Sequence, residues 1–261
     1  MLSSINLSAP AITIPVLNTQ PGDRYTLKSI TGLGPADVAV NVDESAFDGG
    51  YYQGRRVPPR QVVCRLGLRP NFGLGERASD LRNSLYAMLN ASPLRMTFNS
   101  TNGTVRMVEG YVEKFETSQF VADPEIQFTM MCPNPFVRGI TDTSDTTPTS
   151  VTYNGTVPVG FRTSYVLNSN TTWSQLTKGT DVIRINTNLL AGDSVIIDTR
   201  PGSRELSVSR SGVGTFSVLP YATAASVWPR LVPGTQAMSV TASAGTITWN
   251  SFTYRVTDWG L

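Results

Sequence analysis

The chain has 261 residues, enough for two cores of ordinary size, of which 40% are hydrophobic and only 15% charged. Abundant Thr, Ser, Val and Asn favour β-structure joined by polar turns over helical bundles. A formal net charge of +2, with 13 Lys/Arg against 12 Asp/Glu up to about residue 140 and 8 against 7 beyond it, implies no strong pull on nucleic acid or acidic membrane.

Residues Met1 to Pro10 lack a basic leader and a continuous apolar core, so they do not read as a signal peptide. No segment approaches the roughly 20 apolar residues of a membrane span, and the expectation is a soluble product made in a cytoplasm. A Gly-rich turn, Gly32-Leu33-Gly34-Pro35, leads into Val38, Val40 and Val42, which alternate with polar neighbours at period two. Residues 36 to 68 therefore read as two or more strands. The last runs from Arg60 to Leu68 and carries Val62, Cys64, Leu66 and Leu68 on a face that must be buried.

Between Glu76 and Asn90 the period changes to 3.6. Ala78, Leu81, Leu85, Met88 and Leu89 fall on one stripe, with Gly73 and Gly75 at the entry, Glu76 suited to the positive end of the dipole and Pro93 barring continuation. A lone amphipathic helix needs a sheet to cover, so the amino-terminal domain, residues 1–137, reads as α+β: a β-sandwich or split barrel with one helix. Strand patterns return at 94–98 and 105–116 around the hairpin signal Asn102-Gly103, and again at 125–131 before Pro133 and Pro135.

Residues 138–150, mostly Thr, Ser, Asp and Pro, have the composition of a linker. From 151 to 261 no helical period occurs. Short strands are expected at 180–186, 193–198, 205–210, 215–219, 236–242, 246–249 and 252–257, an all-β sandwich or jelly roll.

The composition withholds most catalytic chemistry. The chain has no histidine, and with it goes the commonest general base, the usual partner of a Ser or Cys nucleophile and the commonest transition-metal ligand. Glu109, Glu113 and Glu116 lie close enough for a carboxylate pair, but in a strand pattern they read as a solvated face. Gly32-Leu33-Gly34 and Gly73-Leu74-Gly75 lack the remainder of any phosphate-binding fingerprint and read as turns. Cys64 and Cys132, each in an apolar strand, read as small buried hydrophobes, with a disulfide between them left open. No catalytic residue, metal ligand or cofactor is assigned. Trp173, Trp228, Trp249 and Trp259, with Tyr153, Tyr165, Tyr221 and Tyr254, supply rings that on a jelly roll could stack on sugars, or else fill a core or an interface.

A series of segments carries a resemblance. It runs Gly32-Leu33-Gly34-Pro35, Asp48-Gly49-Gly50-Tyr51-Tyr52-Gln53-Gly54-Arg55, Leu66-Gly67-Leu68, the helix with Asp80-Leu81-Arg82 and Leu85-Tyr86, Gly110-Tyr111-Val112-Glu113-Lys114-Phe115-Glu116 and Cys132-Pro133-Asn134-Pro135-Phe136. Together they resemble the amino-terminal half of the distal tail proteins of long-tailed phages over about the first 137 residues. More loosely, Ala191-Gly192-Asp193 through Ile197-Asp198-Thr199, then Trp228 through Leu231 and Pro233-Gly234, resemble that family's galectin-like β-sandwich.

The resemblance implies a structural protein of the virion tail tip: a homohexameric hub ring whose amino-terminal domains enclose a channel and whose carboxy-terminal domains project outward. Its implied partners are the tail tube protein on one face and a tail-associated fibre or spike hub protein on the other, with receptor-binding proteins reached through the carboxy-terminal domain. DNA and tape-measure protein would pass through the lumen. Ring closure needs two different patches per copy. Tyr51, Tyr52, Gln53, Arg55 and Arg56 are the candidate intersubunit contacts, because a Gly-flanked aromatic and basic segment suits an interface core; a local turn packed within its own subunit is the alternative. Two further readings stay open: a carbohydrate-binding role for residues 151–261, and a tail-tube or minor tail protein.

Overall fold

The computed structural model describes residues 2–9, 12–17, 23–44, 50–90, 93–117 and 124–261, and divides them into two compact units: Met1–Ile140 with Asp258–Leu261, and Thr141–Thr257.

In the first unit the strands are β1 (Leu2–Ala9), β2 (Ile12–Leu17), β3 (Tyr25–Thr31), β4 (Ala39–Glu44), β5 (Gly50–Arg56), β6 (Arg60–Leu68), β7 (Leu94–Ser100), β8 (Val105–Thr117), β9 (Glu125–Cys132) and β10 (Val137–Gly139), with helix α1 (Ala78–Leu89) between β6 and β7. The sheet runs β2-β1-β7-β8-β9-β6-β3, with β10 on β8, and β4-β5 forms a separate two-stranded ribbon. Strand β8 turns the sheet over on itself. Its first half pairs with β7 (Leu94↔Gly110 to Asn99↔Val105), and its second half, from Tyr111, pairs with β9. Gly110 sits at the changeover, where a Cβ would lie 2.4 Å from the Met131 carbonyl oxygen, so only glycine allows the strands to approach.

The alternation in β6 buries Val62, Cys64, Leu66 and Leu68, as period two requires. They share one core with Ile5 and Leu7, with Leu94, Met96 and Phe98, and with Phe128 and Met130. Helix α1 covers this core through Leu81, Leu85, Met88 and Leu89, the stripe that the 3.6 period marks. The Asp80 carboxylate accepts from the Arg77 backbone N–H at 2.9 Å and closes the helix start. Tyr25 donates its hydroxyl to the Leu81 carbonyl at 2.9 Å, tying the helix to β3.

The second unit contains β11 (Thr143–Asp145), β12 (Ser150–Tyr153), β13 (Phe161–Leu167), β14 (Ser174–Lys178), β15 (Asp181–Ile185), β16 (Ser194–Asp198), β17 (Glu205–Arg210), β18 (Gly214–Ser217), β19 (Gly234–Ala242) and β20 (Ile247–Tyr254). One sheet is ordered β11-β20-β13-β16-β17-β18 and the other β12-β19-β14-β15. A single core joins residues of both sheets, Tyr165, Ile197, Val208 and Phe252 from the first and Val151, Leu176, Ile183 and Met238 from the second, which makes this unit a β-sandwich.

Two differences from the sequence expectation have a common cause. The pieces expected at 246–249 and 252–257 are largely one strand, β20, and β13 and β14 escape the hydrophobic pattern altogether. Polar residues lie inside these strands and are satisfied there: Ser164 Oγ meets Ser251 Oγ at 2.7 Å, Asn250 Nδ2 donates to Ser164 Oγ at 3.2 Å, Thr163 Oγ1 donates to the Ser251 carbonyl at 2.9 Å, and buried Ser174 of β14 meets the Tyr165 hydroxyl at 3.1 Å. Buried hydroxyls paired across a ladder break the apolar alternation without breaking the strand.

Candidate assembly surface

The ribbon β4-β5 leaves the first unit between β3 and β6, and its root is a polar knot around Arg60. This side chain is 6% exposed. Its Nη1 donates to the carbonyls of Gly32 and Gly34, each at 2.7 Å, its Nη2 to the carbonyl of Trp259 at 2.6 Å, and its Nε to that of Pro135. Burial pulls the Arg60 pKa down, yet a guanidinium remains charged, and four convergent carbonyl dipoles replace the water it has lost. The segment Asp258–Leu261 completes the knot. Ala36 N–H donates to the Trp259 carbonyl at 3.0 Å, Leu261 N–H to the Leu33 carbonyl at 3.0 Å, and the Trp259 ring meets Phe136 edge-on at 5.1 Å. Gly32 is obligatory here: its φ is +84°, and a Cβ would fall 2.0 Å from the Gln61 carbonyl oxygen.

Beyond this root, none of the ribbon's described side chains belongs to the core. Opposite pairs share a face, and the register sets Val40 against Arg55 and Val42 against Tyr52, so Val40, Val42, Tyr52 and Arg55 line one side. Val40 is 55% exposed, Val42 54% and Tyr52 65%. Gln53 is the extra residue of a bulge between these pairs and donates to Asp43 Oδ2 at 2.6 Å. Arg56 stands opposite Ala39 and is exposed. Tyr51 pairs with Asp43 in the backbone ladder; its side chain, like Asp48 and Gly49 of the same motif, lies outside the described residues. The candidate contacts thus run along a strand, with Tyr52 and Arg55 sharing the valine side.

A second exposed apolar feature escaped the sequence reading. Residues Phe72–Leu74 form a 3-10 turn just before α1, with Phe72 79% and Leu74 74% exposed. Asn71 Oδ1 accepts from Gly73 N–H at 3.1 Å, Glu76 Oε2 accepts from Asn71 N–H at 3.0 Å, and Glu76 Oε1 pairs with Arg24 at 3.2 Å. The turn is held from inside while its two large side chains stand in water. The signal available in the sequence was a Phe and a Leu isolated among glycines, off every hydrophobic period.

The remaining candidates have structural roles. Arg95 donates twice to Glu109 Oε1, at 2.9 and 2.6 Å, and Arg138 donates to Oε2 at 2.7 Å. Burial by itself would raise the Glu109 carboxyl; the bonds and charge of the two arginines outweigh it and hold the pKa below the ordinary value, so the group stays an anion. Glu116 pairs with Lys114 at 2.5 Å. Cys64 and Cys132 are both free and buried, and burial pushes their thiols up to about 12 and about 11. The ladder sets Cys64 against Phe128 and Cys132 against Arg60. Four ladder steps, about 13 Å, separate the two thiols, beyond the span of a disulfide. Among the described residues no cluster of metal-ligating side chains occurs, and no helix is long and apolar enough to cross a membrane. In the second unit Tyr153, Tyr165 and Tyr254 are core residues, Trp228 and Trp249 pack against that core, and Trp173 lies under Arg184 at 4.2 Å; Tyr221 is exposed.

Residues 154–252 match the family model of the siphovirus-type tail component, C-terminal domain. The solved structure of the SPP1 Dit protein, described as a paradigm of the hub adsorption apparatus in phages infecting Gram-positive bacteria, shares the fold with a TM-score of 0.67 at 14% identity, covering 96% of this chain and 98% of that one. A chain of the phage P2 baseplate in its activated conformation with calcium aligns with a TM-score of 0.48 at 11% identity, covering 98% of both chains. No curated protein matches the sequence. Residues 154–252 are thus similar to the C-terminal domain of a siphovirus-type tail component, and nearly the whole chain shares the fold of the SPP1 Dit protein.

Proposed function

We propose that the chain works as a closed ring of six identical copies at the tail tip, joining the tail tube to the fibre- or spike-bearing hub and leaving a channel for DNA and tape-measure protein. The observation that carries this reading is the β4-β5 ribbon, whose Val40, Val42 and Tyr52 are each more than half exposed on one face. Apolar surface left in water forgoes about 25 cal/mol per Å² that burial against a partner recovers. A ribbon rooted by a buried arginine and carrying such a face is built to be covered by another chain. The description of SPP1 Dit as a paradigm of a hub adsorption apparatus is in keeping with this reading, in which an identical copy is the first partner. Tyr52 and Arg55, on the valine side, make the contact; Gln53 and Arg56 shape and flank it. The proposal extends to Tyr51 only as the remaining member of the Gly-flanked aromatic and basic segment. The role is mechanical, with Glu109 locked as an ion-paired strut.

Electron microscopy and mass photometry of the purified protein test this directly. Sixfold rings are expected, and replacing Val42 and Tyr52 by serine should leave the circular dichroism spectrum unchanged while yielding single copies. A protein that stays single at every concentration, or rings indifferent to both substitutions, would overturn the proposal.

A further inference from the structure

A head-to-tail ring needs a projection and a matching recess on different sides of one copy. Phe72 and Leu74 supply a projection at the start of α1, on a turn fixed by Asn71, Gly75 and Glu76. At the other end of the same helix lies a recess lined by Leu89, Asn90, Tyr111, Val112, Glu113 and Phe115. Its floor is rigid, since Tyr86 meets Phe115 edge-on at 4.5 Å and Leu89 is a core residue, while Tyr111 on its rim is 52% exposed. The helix has 12 residues, so projection and recess are about 18 Å apart along its axis.

The net charges around the two features are opposite in sign: Arg24, Arg69 and Arg77 against Glu76 and Asp80 at the projection, and Glu113 and Glu116 against Lys114 at the recess. Exposed Arg69 and Arg77 flank the projection. The recess carries Glu113, and its lysine, Lys114, is already engaged by Glu116 at 2.5 Å. A basic-flanked apolar knob and an acid-edged recess on one polypeptide attract the next copy in one orientation and disfavour knob against knob, where arginines would face each other.

We infer that the Phe72–Leu74 knob of one copy seats in the recess beside Leu89 and Tyr111 of the next, as a contact separate from the β4-β5 ribbon. The inference rests on the ring reading and adds the pair of patches that gives the ring its direction. A turn already held by its own hydrogen bonds suits such a contact, because little loop freedom remains to be lost on docking.

The test is a cross-link in the full chain. Leu74→Cys and Tyr111→Cys are introduced together and treated with a short bis-maleimide; both positions are exposed, whereas the native Cys64 and Cys132 are buried. The expected result is a ladder of linked copies in the double variant, linked pairs when the two single variants are co-assembled, and no linkage in either single variant alone. In parallel, Phe72→Ser with Leu74→Ser should raise the concentration at half-assembly at least tenfold with an unchanged circular dichroism spectrum. Rings that form without linkage, single variants that link as well as the double, or a half-assembly concentration unmoved by the serine pair would overturn this contact while leaving the ring reading intact. Protein that never assembles would overturn both.

Discussion

The Arg60 guanidinium donates to the carbonyl of Trp259, 199 residues further along the chain, at 2.6 Å. The same group holds the carbonyls of Gly32, Gly34 and Pro135, so the turn before the β4-β5 ribbon, the segment after β9 and the segment Asp258–Leu261 depend on one cation.

Replacing Arg60 with Met should therefore cost about 3 to 5 kcal/mol, because four buried carbonyls lose a charged donor at once. Arg60→Lys should recover little of this, since an ammonium cannot span the fork. Urea unfolding followed by circular dichroism gives the values, and a loss below about 1 kcal/mol for the Met variant would show that the knot is dispensable.

Two neighbouring glycines should behave oppositely. Gly32→Ala places a Cβ 2.0 Å from the Gln61 carbonyl oxygen at a φ of +84°, whereas nothing lies within 4 Å of a Cβ at Gly34. We expect a loss of about 2 to 3 kcal/mol for Gly32→Ala and a change within about 0.5 kcal/mol for Gly34→Ala. Thermal melting of the pair tests the contrast; equal melting temperatures would refute it.

The native thiols should be inert. Burial raises Cys64 to about 12 and Cys132 to about 11, so at pH 8 almost none is thiolate, and neither is reachable from solvent. A thiol-reactive dye should label fewer than about one in ten native molecules in the time that labels both cysteines of the urea-unfolded chain. No internal disulfide should form under mild oxidation; one found by mass spectrometry would contradict the β6-β9 register.

In the second unit Arg210 donates to Asp193 Oδ1 at 2.8 Å and Oδ2 at 2.6 Å, and Leu190 N–H donates to Oδ2 at 2.8 Å. The Arg210 bonds, helped by the Leu190 N–H, outweigh burial and hold the Asp193 pKa below its ordinary value. A carboxylate lowered on folding adds stability that is fully present above the unfolded pKa, about 3.9, and is lost as pH falls through the lower folded value. Asp193→Asn should thus melt below the wild type at pH 7, with the gap narrowing below about pH 4. A gap that is constant down to pH 2 would mean that the pairing does not titrate.

Much of the fold was legible because it is written in short-range terms. Leu81, Leu85, Met88 and Leu89 recur at the helical period, and Val62, Cys64 and Leu66 alternate at the strand period, so each face could be named from its own neighbours. Strand β13 was not legible, because Thr163 and Ser164 are satisfied by Ser251, nearly ninety positions away, and polarity then ceases to report exposure. The segments around Gly32 and Pro135 could be read singly as turns; that Arg60 binds them together depends on contacts no local pattern records.

The ribbon marks the boundary most clearly. Alternation at Val38, Val40 and Val42 is enough to specify a strand, since a two-residue period is a property of the backbone pleat. Whether the apolar side of that strand meets its own core or stands in water is a long-range matter, decided by where the chain goes next. Here it goes back through Arg60 into the sheet and leaves the valines uncovered, and that exposure turns a strand into a candidate joint between copies.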